Sequence, residues 1–205
     1  MPGHLLLYHP AYEALHAQLE VIGEIKKIHA SRLFGKDPHP LQHVHHDLIV
    51  HDLALIADIL PDWRVRNLAS EYPISHTTNV QFCFQHAEGN GPDVLVSIEN
   101  SKASPNNKVC FTIIGENGRL NFDSMACRRY NATGLIISEQ TFDLTKLENQ
   151  PLFRQFQDFV RCIRTGDQPR GGGLALASVT SILEQISSST PACIIHPPAS
   201  LPFPA

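Results

Sequence analysis

The chain has 205 residues, 42% of them hydrophobic and 18% charged, with a formal charge of -4. That length and apolar content suit one sizeable domain or two small ones. No run of Lys or Arg marks a nucleic-acid or anionic-membrane surface, and no apolar run approaches the roughly 18 residues of a membrane span.

The first residues, "MPGHLLLYHP", lack the basic start and small-residue cleavage site of a signal peptide. Leu5 to Tyr8 reads as a short strand stopped by Pro10. In "PAYEALHAQLEVIG" the residues Ala11, Leu15, Leu19 and Ile22 share a helical face, and Gly23 is a natural stop. "EIKKIHASRLFG" has strand character, with Lys26, Lys27 and Arg32 expected on a solvated strand face. "KDPHPLQHV" is a loop, because two prolines prevent regular structure.

A helix is expected from His45 to Leu60, where Pro61 ends it. From Trp63 the period changes to two. "VQFCFQH", "VLVSIEN", "KVCFTII", "RLNFD" and "TGLIIS" read as successive strands, with "GENG" as a hairpin turn. Val80, Phe82 and Phe84 share one side of their strand, as do Val94, Val96 and Ile98 of the next. The opposite side, with Gln81, Cys83, Gln85, Leu95, Ser97 and Glu99, is mixed. Two helices follow. Leu152, Phe156, Phe159, Val160 and Ile163 form one face of the first, which Gly166 ends; Ala175, Val179, Ile182 and Ile186 mark the second. The fold class is therefore α+β, a mostly antiparallel open sheet with helices packed on one face. One domain spans residues 1–190, and a proline-rich tail occupies 191–205.

The five cysteines, Cys83, Cys110, Cys127, Cys162 and Cys193, are odd in number and form no C-x-x-C, which reads as reduced thiols in a cytoplasmic protein. The chemistry concentrates in "HHDLIVHDLALI". On a wheel of about 100° per residue, Asp47 at zero leaves His51 at about 40° and Asp58 at about 20°. Apolar residues cover nearly everything else, Asp52 lies apart, and Ala54 leaves room beside the stripe. Asp47 and His51, one turn apart, can interact or point into one cavity, which suits proton transfer near neutral pH. On spacing alone a structural reading is slightly favoured: Asp47 caps the helix and His51 is a satisfied core histidine. A metal site from His43, His45, His46, Asp47 and His51 is the weaker alternative, since "HVHHD" matches no zinc spacing.

From Gly3 to Ser189 the chain resembles the C-terminal part of the glucose–fructose oxidoreductase / inositol dehydrogenase / MocA (Gfo/Idh/MocA) family. "GHLLLYHPAYEALHAQLEVIGEIKKIHASRLFG" is similar to the family's junction after the nucleotide-binding domain, and "HHDLIVHDLALIADIL" to its D-x-x-x-H helix. "FTIIGENGRLNFD" is similar to its central hairpin, and "FVRCIRTGDQPR" with "GGGLALASVTSILEQISSS" to its last helices. The resemblance implies an oxidoreductase using NAD or NADP on a sugar, nucleotide sugar or cyclic polyol. It gives His51 the proton-transfer role and Asp47 the orienting one. It also implies sheet-mediated homo-oligomers, and either a Rossmann-domain chain acting in trans or a truncated enzyme, because the sequence has no G-x-G-x-x-G and no E-K-P segment with its catalytic lysine. Lys26 or Lys27, and Arg32, are family positions that could face the sugar. A non-enzymatic sugar-binding or oligomerisation module is the alternative, and a metal-dependent hydrolase built on the His43–His51 cluster a weaker one.

Overall fold

The computed structural model describes residues 3–34, 48–61, 63–74, 77–86, 92–102, 104–105 and 107–188. A single eight-stranded sheet is its frame: β1 (Ile25–Leu33), β2 (Trp63–Ile74), β3 (Thr77–His86), β4 (Val94–Ser101), β5 (Lys108–Gly115), β6 (Gly118–Asp123), β7 (Ala126–Asn131) and β8 (Ile136–Thr141). The spatial order is β2-β3-β4-β1-β5-β6-β7-β8. Seven pairings are formed; β1 with β4 is parallel and the rest are antiparallel. The expected α+β architecture is therefore present, with β1 inserted between two meanders.

Among the described residues four helices are formed, α1 (Pro10–His16), α2 (Val50–Ile59), α3 (Pro151–Thr165) and α4 (Gly173–Ser188); α1 and α4 contact the sheet, and α3 packs on the Leu5–Tyr8 segment. Alternation decides the apolar face of the sheet. Val80, Phe82, Phe84, Val94, Val96 and Ile98 are buried, while Leu95, Ser97 and Glu99 between them are partly exposed on the other side. α1 lies over β6, β7 and β8, and α2 packs on α4, which reaches β2. Tyr12 of α1 meets Phe111 and Phe122 edge-on, at centroid distances of 6.5 and 6.2 Å. The β2–β3 register shifts between Arg66 and Ala69, where Asn67 takes a left-handed φ of 51°, a bulge conformation that asparagine tolerates.

Three expectations are corrected. Leu5–Tyr8 is a 3-10 turn, not a strand; a short apolar run carries no period that tells the two apart. Leu7 and Tyr8 are buried, and the Tyr8 hydroxyl donates to Asp158 of α3 at 2.8 Å. Second, β7 exists although its sequence, "ACRRYN", has no apolar alternation. Third, Arg32 does not lie on a solvated strand face. It shares strand parity with Ile28 and Ala30 and is 6% exposed beneath the helices. Gly23 does end the second helical segment, a 3-10 turn over Leu19–Ile22, with φ of 71°, and Gly166 ends α3 with φ of 77°.

The "GENG" hairpin joins β5 to β6 and packs on the α1–β1 connection. The Asn117 amide donates to the Ile22 carbonyl at 2.9 Å, and the Glu116 amide to that of Glu24 at 3.1 Å. A Cβ at Gly115 would collide with the Ile22 backbone, and one at Gly118 with that of Tyr130. Among the described residues no helix is long and apolar enough to cross a membrane.

Candidate functional site

The first turn of α2 carries the candidate chemistry. The helix is wound wide, as π-helix, at Leu48–Ile49 before settling into α geometry at Val50. Such a start is frequent at functional sites, and it alters the regular wheel on which Asp47 and His51 were placed. His51 is half-buried with Nδ1 turned away from solvent. Asp47, His43, His45 and His46 lie outside the described residues, so the Asp47–His51 pair and the histidine cluster have no geometry to report. Among the described residues no three His, Cys, Asp or Glu side chains stand close enough to hold a metal.

From Asp52 to Ala57 every residue of α2 is buried. Asp52, next to His51, is 1% exposed and accepts a hydrogen bond from Arg32 Nε at 2.8 Å. Arg32 stands opposite Asn100 in the parallel β1–β4 register, and Asn100 is fully buried. Burial pushes the Asp52 carboxyl up to about 6, with Arg32 and Asn100 pulling the other way. Asp52 Oδ2 and both polar atoms of the Asn100 side chain nevertheless make no regular hydrogen bond. The wheel set Asp52 aside, and strand parity was the one sequence signal that could have moved Arg32 inward. Nothing local pairs two residues 20 positions apart.

Asp58, assigned to the same polar stripe as His51, belongs to a different set. It accepts from the Tyr12 hydroxyl at 2.7 Å and from Arg170 Nη2 at 3.0 Å, and His16 Nε2 is 3.6 Å away. Arg170 also approaches Glu13, which pairs with Arg154 of α3. This network ties α1, α2 and α3 together beside a cleft of about 530 Å³ bordered by Asp58, Pro61 and Gln168. It was missed from sequence because its members come from four separate segments.

The sheet face opposite α1 is a polar floor. His29 Nδ1 lies 3.2 Å from Ser97 Oγ, and Ser31 Oγ donates to Glu99 at 3.3 Å. Asn121 Nδ2 donates to Thr112 Oγ1 at 3.0 Å, and Arg119 stacks on the Tyr130 ring at 3.9 Å. Burial holds His29 below its ordinary value. Lys26 pairs with Glu24 and Glu116 at the strand's start.

No protein-family model matches the chain, and no curated protein does. Solved structures do match its fold. The UDP-N-acetylglucosamine 3-dehydrogenase GnnA from Acidithiobacillus ferrooxidans is 19% identical with a TM-score of 0.73, over 90% of this chain and 59% of that one. A dehydrogenase (MviM) from Clostridium difficile is 13% identical with a TM-score of 0.71, over 92% of this chain and 61% of that one. The biliverdin reductase from Synechocystis sp. PCC 6803, solved with biliverdin and NADP+, is 19% identical with a TM-score of 0.62, over 90% of this chain and 60% of that one. The chain thus has the fold of part of these oxidoreductases and spans about three fifths of their length.

Proposed function

We propose that the chain is the substrate-side part of a Gfo/Idh/MocA-type, NAD(P)-dependent oxidoreductase acting on a sugar, nucleotide sugar or cyclic polyol. The observation that carries this reading is the match of nine tenths of the chain to dehydrogenases and a reductase. His51 adds support, since it sits at the start of the helix whose sequence resembles D-x-x-x-H. In this reading His51 takes the proton from the hydroxyl undergoing oxidation, and Asp47 orients the substrate or the imidazole.

The "GENG" turn does not fit a dinucleotide. The glycine pair of the "GENG" turn is closed against the backbones of Ile22 and Tyr130, which leaves no cradle for a pyrophosphate. In this reading the cofactor is held by a nucleotide-binding domain of the whole enzyme, and no step is derived through it. The polar floor of the sheet supports the second reading, a sugar-binding or oligomerisation module without catalysis.

The two readings separate by reconstitution. The chain is combined with a nucleotide-binding domain, tested in turn from an adjacent reading frame and from a structural neighbour. NAD(P)+ reduction is then followed over a panel of nucleotide sugars and inositols. The enzyme reading expects turnover that His51→Ala lowers by about 10²–10⁴-fold, the range for a lost general base. Equal turnover in the variant removes His51 from the mechanism. Sugar binding without turnover in every combination favours the module. The chain alone is expected not to bind NADH at micromolar concentration, and fluorescence titration checks this.

A further inference from the structure

We infer that Arg32, Asp52 and Asn100 are positioning residues: together they fix the roll of the first turn of α2 on the sheet, and thereby the direction in which His51 points. The inference rests on reading His51 as the proton-transfer residue.

The argument begins with what the apolar residues leave undecided. A helix buried over Asp52, Leu53, Ala54, Leu55, Ile56 and Ala57 has no single apolar face. Its rotation is therefore set by polar contacts: Tyr12 and Arg170 hold Asp58 near its end, and Arg32 holds Asp52 in its first turn. Below it, the even-numbered residues of β1 and β4, among them Ile28, Ala30, Val96 and Ile98, give a smooth apolar floor. Only at the C-terminal ends of these two parallel strands does the floor become polar, where Arg32 stands opposite Asn100. The Arg32 Nε–Asp52 Oδ1 hydrogen bond, at 2.8 Å, is met at one roll of the helix and lost at others.

Stability alone does not account for the set. Buried ion pairs are often no more stabilising than apolar residues of equal volume, whereas fixing register is their best-attested use. This pair is 6% and 1% exposed. His51 is the residue immediately before Asp52. With a side-chain radius of about 5–6 Å around the axis, a roll of about 20° swings an imidazole by about 2 Å. A misplacement of about 1 Å at a reacting group can cost about 10²-fold in rate.

The test replaces the key without leaving a charge behind. The double variant R32M/D52V removes the pair with little change in total side-chain volume. His51 imidazole nitrogen resonances are recorded by ¹⁵N NMR on the full chain and assigned by their loss in H51Q. The expected result is a melting temperature within a few degrees of wild type, with the His51 nitrogen shifts displaced and broadened. Unchanged shifts in the folded double variant overturn the inference, because a merely stabilising pair would leave the imidazole where it is. Should the double variant fail to fold, R32K decides. It retains the charge without a donor at the Nε position, and unchanged His51 shifts there overturn the inference equally. Turnover of H51Q in the reconstituted enzyme tests the underlying reading separately: full activity there, with displaced shifts in the double variant, removes the catalytic role while the positioning set stands.

Discussion

Asp52 shows how far a single carboxyl can be governed by its surroundings. Its folded value lies above its unfolded value of 3.8, at about 6, with burial the largest cause. A raised carboxyl favours the folded state fully below the unfolded value and loses that contribution as pH rises through the folded one. The stability of the wild type relative to D52N is therefore expected to fall by up to about 3 kcal/mol as pH rises across that window. Urea melts of both proteins at several pH values between 3.5 and 7 measure it, and a constant difference would place the carboxyl at its ordinary value. Gly115 is governed by space instead. Ile22 backbone occupies the position of an added Cβ, so G115A is expected to destabilise by about 2 kcal/mol, within the range for steric core changes. Thermal melts against wild type report the loss directly.

Elements whose pattern repeats were legible in the sequence, and elements held by single pairings were not. β4 alternates cleanly because one side faces the helices, and α3 announces itself with a 3.6-residue stripe and an αL glycine. β7 was missed because Arg128 and Arg129 interrupt any alternation; Arg128 is satisfied by Asp123 and Glu139 on neighbouring strands, which a local window cannot see. Of the candidate residues, His51 is singled out by its helix pattern, whereas its neighbour Asp52 and the partners beneath it depend on contacts between distant segments. The α3 stripe also faces an unexpected way. Leu152, Phe156 and Ile163 are 68%, 61% and 68% exposed, so the face turns outward rather than onto the sheet. Substituting Phe156 by Gln is accordingly expected to change stability by no more than about 0.5 kcal/mol, the surface range. Calorimetry checks this, and a loss of several kcal/mol would mean that the face is covered in solution.

The whole molecule has exposed apolar groups on α3 and at one edge of the sheet. β8 ends the sheet and presents Leu135, Ile136 and Ile137, each more than half exposed. An unpaired apolar edge invites pairing with another chain, so a dimer, the commonest closed assembly, is the expected state. Light scattering at tens of micromolar, an order-of-magnitude choice typical of modest interfaces, measures it; a monomer there would contradict the expectation. The position of β1 between the two meanders has a consequence in time as well. β2-β3-β4 and β5-β6-β7-β8 can each zip from local turns, but β1 must find β4 across 68 residues of chain, as the His29–Ser97 contact shows. Closing such a loop costs entropy before any pairing compensates it, so distant pairings form late. The centre of the finished sheet is thus expected to be the last part assembled. In stopped-flow refolding, Ile28→Val should leave the folding arm of the chevron nearly unchanged and raise the unfolding rate, as a low-φ position does. A slowed folding arm would make β1 part of the nucleus. Until β1 arrives, the facing edges of β4 and β5 stand open, and the refolding chain should be most prone to aggregate in that interval.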